Sequence, residues 1–446
     1  MNLRGRAYFA LVSLRGQPVG ACYRRFLREV RAGIPPTTTR DRLVAILKHC
    51  RRSVPYYAEI MRRLGGSFED DPEEYLRRFP VLTKGIVRGR LEELKSADLD
   101  RRRWYFNTSG GSTGEPLKLI QDWEFAAKAG AIKLLFSKLA GREVGEAEIS
   151  LWASSLDMTG RRPNWRAVLA ERMANATRIG VFRMTDGQMR DNIALLNARR
   201  PKLVVAYAGA LYELARFAER EGLEVRPQAA IITSASTLYP FMRETIERVF
   251  QCRVFDRYGS REVGDVACER PDLQGLWVAP WGNYVEITDP DGARLPDGTP
   301  GEILVTSLTN FAMPLVRYKI EDRGVLAPAG RDAGGGASQI LESVIGRTYD
   351  RFINESGELV ESGQFMPLLY FREWIRQYQV VQKSPSHIVF RIVKTGSGPK
   401  PGELDELRAG CDAIMHHPCR VDFEFPDEIV PAPSGKHRFI ISEVPR

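Results

Sequence analysis

The period of the hydrophobic pattern changes along this chain. From Thr39 to Arg63 the apolar residues Leu43, Val44, Ile46, Leu47, Tyr56, Tyr57, Ile60 and Met61 recur at helical spacing, broken at Pro55. That pattern predicts two packed helices. A further short helix is predicted after Phe79-Pro80-Val81-Leu82-Thr83-Lys84, and a longer amphipathic one over 122–140. Between them, Trp104-Tyr105-Phe106 and Leu117-Lys118-Leu119-Ile120 read as two strands of a hairpin around a polar tip. Alternation follows. Ile149 to Trp152, Leu203 to Tyr207, Ala229 to Thr233 and Cys252 to Phe255 are short β-branched or aromatic runs. Helical patterns at about 188–199, 210–221 and 240–250 separate them, which implies a largely parallel α/β sheet. Beyond residue 275 the runs Leu276 to Val278, Tyr284 to Ile287 and Gly301 to Thr306 are punctuated by Asp291-Gly292 and Asp297-Gly298, the mark of a β-rich subdomain. A glycine-rich loop at 330–336 precedes Ile345-Gly346-Arg347, where a domain boundary is expected. The fold class is therefore α/β. Residues 1–346 form a large N-terminal domain with mixed α/β sheets and a β-rich subdomain, its first hundred residues helical and basic; residues 347–446 form a small α+β domain.

Composition agrees with a multidomain globular protein. At 446 residues the chain exceeds what one core usually holds, and hydrophobic residues make up 43% and charged residues 27%. No apolar stretch approaches the roughly 18 residues of a membrane span, and no signal-peptide core is visible, so a cytoplasmic location is expected. Six cysteines lie apart without C-x-x-C spacing and read as reduced and structural. The net charge of +9 is concentrated in residues 1–63, with fourteen Arg/Lys against three Asp/Glu. Such a segment is a solvated helical face or, with Tyr8, Phe9, Leu11, Val12 and Leu14 among its arginines, a peripheral contact for an anionic membrane.

The chemistry starts at Asn107-Thr108-Ser109-Gly110-Gly111-Ser112-Thr113-Gly114-Glu115-Pro116. The glycines let backbone amides approach an anion, and Thr108, Ser109, Ser112 and Thr113 add hydroxyls, a composition suited to phosphate and equally to a flexible surface loop. Spacing G-x-x-x-x-G-K-[ST] is absent, which separates it from the ordinary nucleotide-hydrolase loop. Tyr258-Gly259-Ser260-Arg261-Glu262 follows a predicted strand, where a ring can stack on a purine and a carboxylate can reach a phosphate-bridging metal. Arg317 to Asp322 offers an aspartate for a ribose or an exposed salt-bridged turn, Gly346-Arg347-Thr348-Tyr349-Asp350 suits a hinge, and Pro433-Ser434-Gly435-Lys436 carries a lysine on a tight turn. Among five histidines none forms a nucleophile constellation, so serine-histidine hydrolysis is disfavoured.

In their order and spacing these motifs resemble those of the adenylate-forming acyl ligases, closest to the branch of phenylacetate-coenzyme A ligases and capsule-biosynthesis proteins. The resemblance runs from Pro80-Val-Leu-Thr-Lys84 to Pro433-Ser-Gly-Lys436. It implies a small mobile C-terminal lid over a nucleotide- and carboxylate-binding domain, with ATP and magnesium between them. By that likeness Thr108, Ser109, Gly110, Gly111, Ser112, Thr113 and Gly114 hold the triphosphate. Tyr258, Gly259 and Ser260 meet the adenine, with Ser234, Ala235 and Ser236 lining the acyl and adenine pocket. Glu262 helps hold Mg2+, Asp322 binds the ribose, Arg347 lies close to the nucleotide, and Lys436 supports adenylation. Where many relatives carry a zinc-holding cysteine and histidine set, Cys268-Glu-Arg-Pro-Asp has no following histidine, so no zinc is expected. The hinge position, often Asp or Lys, is Tyr349.

The expected activity is ATP-dependent activation of a small carboxylic acid, with coenzyme A as acyl acceptor; an amine or sugar acceptor is the alternative. Trp152, Tyr207 to Gly209 and Ser234 to Ser236 suit an aryl or medium-sized apolar acid. A third reading, a non-catalytic relic that binds nucleic acid or anionic membrane through its basic N-terminus, meets intact nucleotide motifs and no nucleic-acid motif, so no nucleic-acid partner is expected. The sequence leaves a homodimer open.

Overall fold

Pro55 separates two helices, Thr38–Ser53 and Pro55–Leu64, and occupies the first turn of the second, where its missing N–H has no intrahelical partner to lose. Leu43, Ile46, Leu47 and Met61 are buried in one cluster with Ile303, Val305, Val316 and Tyr318 of the β-rich region. Burial of each such large apolar side chain stabilises by about 1.5–3 kcal/mol relative to exposure. Tyr57 fastens the helices to that region through its hydroxyl, which donates to Pro314 O at 3.0 Å and accepts from Val316 N at 3.1 Å.

The computed structural model describes residues 2–14, 16–109, 117–152, 165–180, 185–328, 338–347, 351–365, 368–369, 372, 374–396, 398–430 and 438–444. They fall into two compact units, Met1–Ile345 and Gly346–Arg446.

In the first unit, Ala176–Ile179, Glu148–Leu151, Leu203–Tyr207, Ile231–Ser234 and Val254–Ser260 lie side by side in parallel. The helices Asp186–Arg199, Ala208–Arg220 and Pro240–Phe250 connect them, as the alternating pattern predicts. Past Val254–Ser260 the sheet turns antiparallel through Gly264–Glu269 and Leu276–Val278. It continues through Ile340–Arg347, Tyr318–Leu326, Gly301–Ser307 and Asn283–Thr288, giving eleven described strands. Four of these escape the sequence pattern, Tyr318–Leu326 and Ile340–Arg347 among them. Ala176–Ile179 is an edge strand with exposed Thr177 and Arg178, so no apolar run announces it, and Gly264–Glu269 alternates only weakly. Arg317 to Asp322 is not an exposed turn: Tyr318–Leu326 is a strand, with Arg317 and Tyr318 buried. The glycine-rich loop at 330–336 lies outside the described residues. No described helix is long and apolar enough to cross a membrane.

In the second unit, Arg420–Glu424, His387–Lys394, Ile375–Ser384 and Ile440–Ser442 form a four-stranded sheet in that order. Its central pair is antiparallel and its outer pairs are parallel. Helix Glu403–Met415 contributes Leu407, Cys411 and Met415 to the buried residues of this unit.

Candidate active site

The glycine-rich loop sits at the tip of an antiparallel hairpin, Trp104–Thr108 with Lys118–Asp122. Residues 110–116 lie outside the described residues, but the neck is defined. Ser109 N–H donates to Leu117 O at 2.9 Å, and Leu117 N–H donates to the Ser109 hydroxyl at 2.8 Å. Ser109, only 6% exposed, thus closes the loop. Thr108 ends the first strand, its N–H held by Asn107 Oδ1 at 2.8 Å.

The same hairpin is tied to the Tyr258 motif. Asn107 Nδ2 donates to Gln121 Oε1 at 2.9 Å and to Arg261 O at 3.2 Å, while Gln121 Nε2 donates to Arg261 O at 2.8 Å and Glu262 O at 3.2 Å. Two buried or half-buried amides therefore set the neck of the glycine-rich loop against the turn that bears Glu262. That turn is itself constrained. Strand Val254–Ser260 carries a bulge between Tyr258 and Gly259, and a Cβ on Gly259 would stand 2.6 Å from Gly264 O, so only glycine fits. Glu262 is buried, and its N–H donates to the Ser260 hydroxyl at 3.2 Å.

Tyr258 then reaches the third motif: its hydroxyl donates to Asp322 Oδ2 at 2.9 Å, across 64 positions of sequence. Neighbouring Glu321 is paired with Lys84 in a little-exposed ion pair. The Pro80-Lys84 segment is laid along the strand by Leu82 N–H to Arg317 O and Lys319 N–H to Leu82 O, both 3.0 Å. Thr83 caps the short helix Lys84–Gly89 by accepting from Ile86 N–H. Arg317, Glu321 and Ala235 all have positive φ (49°, 71° and 72°) without being glycine. Such local strain persists where the surrounding structure fixes the backbone.

The proposed acyl-pocket residues stand at the carboxyl ends of three adjacent parallel strands. Leu151 pairs with Ala206 and Tyr207 with Ser234, so Trp152, Tyr207 and Ser234 follow one another across the sheet. The rings of Trp152 and Tyr207 meet edge to face with centroids 4.5 Å apart. Ser234 donates its hydroxyl to Arg257 O at 2.9 Å, joining this row to the strand end that carries Tyr258. Ligands of open α/β sheets bind at such strand ends.

Behind the row, burial and the nearby Glu269 push the Asp256 carboxyl up from 3.8 to about 7, while Arg243 and the Thr233 hydroxyl pull it down. The folded chain keeps this proton to higher pH than the unfolded one. The stability it contributes is therefore full below about pH 4 and is lost as pH rises through about 7. Asp256→Asn is expected to flatten that fall and to exceed the parent in urea resistance at about pH 8 but not at about pH 5. A parallel pH dependence in both proteins would remove Asp256 as its source.

The structure brings together Thr108, Ser109, Ser234, Ala235, Tyr258, Gly259, Ser260, Glu262 and Asp322. Ser236 follows on the same loop. Arg347 ends strand Ile340–Arg347, and nothing is described of its side chain. Gly110 to Gly114, Tyr349, Asp350 and Lys436 lie outside the described residues. Gln121, Lys84 and Glu321 were not singled out as site residues. A glutamine directly after the apolar pair Leu119-Ile120, buried like them, is the one sequence signal that could have exposed the first of them. The donor set suits magnesium: a buried carboxylate at Glu262 beside a hydroxyl- and amide-rich loop fits an ion that takes one or two protein carboxylates and completes its shell with phosphate oxygens and water.

Residues 352–443 match the CapK C-terminal domain. Over 411 residues the chain is 21% identical to Protein CapK of Staphylococcus aureus, covering 91% of this chain and 88% of that protein. It is 26% identical over 305 residues to the phenylacetate-coenzyme A ligase of Pseudomonas putida, covering 65% and 66%. The fold matches crystalline 2-hydroxyisobutyryl-CoA ligase in the postadenylation state with 2-HIB-AMP, at a TM-score of 0.70 and 16% identity, over 92% of this chain and 91% of that one. The CapK C-terminal domain at residues 352–443, the similarity to CapK and to phenylacetate-coenzyme A ligases along most of the chain, and the shared fold together support a place in the adenylate-forming ligase superfamily.

Proposed function

We propose that this protein activates a small carboxylic acid with ATP, forming an acyl-adenylate and pyrophosphate, and then transfers the acyl group to coenzyme A. One observation carries the reading: the hydrogen-bonded chain that joins the neck of the glycine-rich loop to Glu262 and Tyr258 to Asp322. It holds the groups suited to phosphate, adenine and ribose on one rigid frame.

A carboxylate oxygen of the acid attacks the α-phosphorus of ATP, the bond between that phosphorus and the α,β-bridging oxygen breaks, and pyrophosphate leaves with the bonding electron pair. The nucleophile is already ionised at neutral pH, so no general base is required, and the protein's task is positioning and charge neutralisation. The amides and hydroxyls of residues 108–114 cradle the triphosphate. Tyr258 offers its ring to adenine, and its hydroxyl fixes the rotamer of Asp322 for the ribose hydroxyls. Glu262 would hold Mg2+, which when bound neutralises charge on the phosphate oxygens. Trp152, Tyr207 and Ser234 form an apolar wall with one polar tip, suited to an aryl or medium-sized apolar acid. The C-terminal domain acts as the mobile lid that delivers Lys436. The second reading keeps the adenylation step and passes the acyl group to an amine or a sugar.

The test is carboxylate-dependent exchange of labelled pyrophosphate into ATP across aryl, fatty and sugar acids, followed by AMP release with and without coenzyme A. Exchange with one acid class and acceleration by coenzyme A are expected; exchange without that acceleration selects the other acceptors, and no exchange with any acid sinks the reading. Asp322→Asn is expected to raise KM for ATP about 10- to 100-fold, the worth of hydrogen bonds to a charged acceptor, with a smaller change in kcat. An unaltered KM would take Asp322 out of the nucleotide site.

A further inference from the structure

The C-terminal unit holds a second group of chemistry-bearing side chains, remote in sequence from every nucleotide motif except the Lys436 turn. Helix Glu403–Met415 ends at His416, whose φ of 61° reverses the chain, and strand Arg420–Glu424 begins four residues later. The reversal sets Cys419 against the last turn of the helix. Its N–H donates to Asp412 Oδ1 at 2.8 Å, and its thiol lies 3.7 Å from His417 O. The two sulfurs and a carboxylate oxygen of Asp412 all lie within 4.8 Å of one another. Cys411 is fully buried, and the other two are half-buried.

We propose that Cys411, Asp412 and Cys419 form a binding site for a thiophilic divalent cation, with zinc the best fit. Three donors on one zinc, at about 2.3 Å for sulfur and about 2.0–2.2 Å for oxygen, stand roughly 3.5–3.8 Å apart in a tetrahedron, so a spacing within 4.8 Å needs a contraction of at most about 1.3 Å. Two sulfurs select against magnesium and calcium. The Cys419 N–H occupies Asp412 Oδ1 and leaves Oδ2 for the ion. Binding forms two metal–sulfur bonds and one metal–oxygen bond and releases both thiol protons to solvent. Water completes the fourth position.

His417 supports the site without joining it. Its Nε2 accepts from Glu355 N–H at 3.0 Å, which places the ring proton on Nδ1, 3.0 Å from Pro418 O and 3.7 Å from Cys419 Sγ. An N–H turned towards a ligating sulfur is the outer-shell contact that steadies a thiolate. The competing use of the same sulfurs is a disulfide, formed by loss of two electrons to an external oxidant. Neither the third donor, Asp412, nor the N–H on sulfur serves that chemistry. The six cysteines lie apart in sequence, and only the reversal at His416 joins two of them.

The experiment titrates the reduced full-length protein with Co2+ and then Zn2+. One equivalent of Co2+ is expected to bind with a thiolate-to-metal charge-transfer band, which Zn2+ removes, and Zn2+ is expected to raise the unfolding temperature. Cys419→Ser should abolish the band. Asp412→Asn keeps an acceptor for Cys419 N–H, and so the fold, yet should weaken Zn2+ at least about tenfold. Cys22→Ser, in helix Val19–Ala32, should leave the spectrum unaltered. A folded, reduced protein without the band, a band that survives Cys419→Ser, or recovery of a Cys411–Cys419 disulfide with no metal uptake overturns the proposal.

Discussion

Arg317→Met is expected to destabilise the N-terminal unit by about 3–5 kcal/mol, the cost of removing one partner of a buried ion pair. Arg317 and Glu286 are 3% and 2% exposed, and Arg317 Nε lies 3.2 Å from Glu286 Oε2. The guanidinium also donates to Arg77 O, Phe79 O and Gly292 O at 3.1, 2.7 and 2.6 Å. Methionine replaces much of the volume and none of the donors, leaving three carbonyls and one carboxylate in a dry environment. Burial already holds the Glu286 carboxyl above its usual range against the pull of Arg317. Without Arg317 it rises further, so the folded chain keeps the proton while the unfolded chain has lost it. The loss of stability is therefore larger at neutral and alkaline pH than near the ordinary glutamate pKa. Denaturant unfolding of Arg317→Met, Glu286→Leu and the double variant provides the check. The double variant should recover part of the loss; a single-variant loss below about 1 kcal/mol would show that the pair is dispensable.

Lys436→Ala is expected to lower pyrophosphate exchange by roughly 10²- to 10³-fold, the usual cost of removing one preorganised donor from developing charge. The effect should fall on one half-reaction. Preformed acyl-adenylate supplied with the acyl acceptor should be consumed at a rate near that of the parent, because the lysine is assigned to phosphate charge during adenylation. Equal losses in both half-reactions would instead assign Lys436 a role in folding or in lid movement.

Local features of this fold were legible in the sequence because local rules produce them. The Pro55 break, the hairpin around the glycine-rich loop and the alternation between Leu203 and Phe255 each follow from residue type and period. The family resemblance rests on motifs that are likewise continuous in sequence. Relations between distant positions were not legible. Nothing in Tyr258 announces a hydrogen bond to Asp322, and nothing in Asn107 or Gln121 announces that their amides would bind the turn at Arg261. Arg317 was the most deceptive: among Tyr, Lys, Glu and Asp its letters suit an exposed turn, and only its carbonyl partners from Arg77, Phe79 and Gly292 explain its burial. A weak hint did exist in Glu286, a carboxylate inside the apolar run Tyr284-Val-Glu-Ile, which a buried strand tolerates only with a cation nearby.

The row of Trp152, Tyr207 and Ser234 places one side chain on each of three neighbouring strands, while Tyr258, Glu262 and Asp322 stand on other segments. Strand register is set by the buried residues beneath, so a larger or smaller side chain at any one of these three tips alters the shape of the wall and leaves backbone pairing as it was. Under the proposed function, selectivity for the acid can thus diverge by single substitutions at Trp152 or Tyr207, each testable alone, while Tyr258, Glu262 and Asp322 are inherited unchanged. In a lineage of duplicated copies, that separation makes new substrates accessible in small steps that never pass through an inactive ancestor.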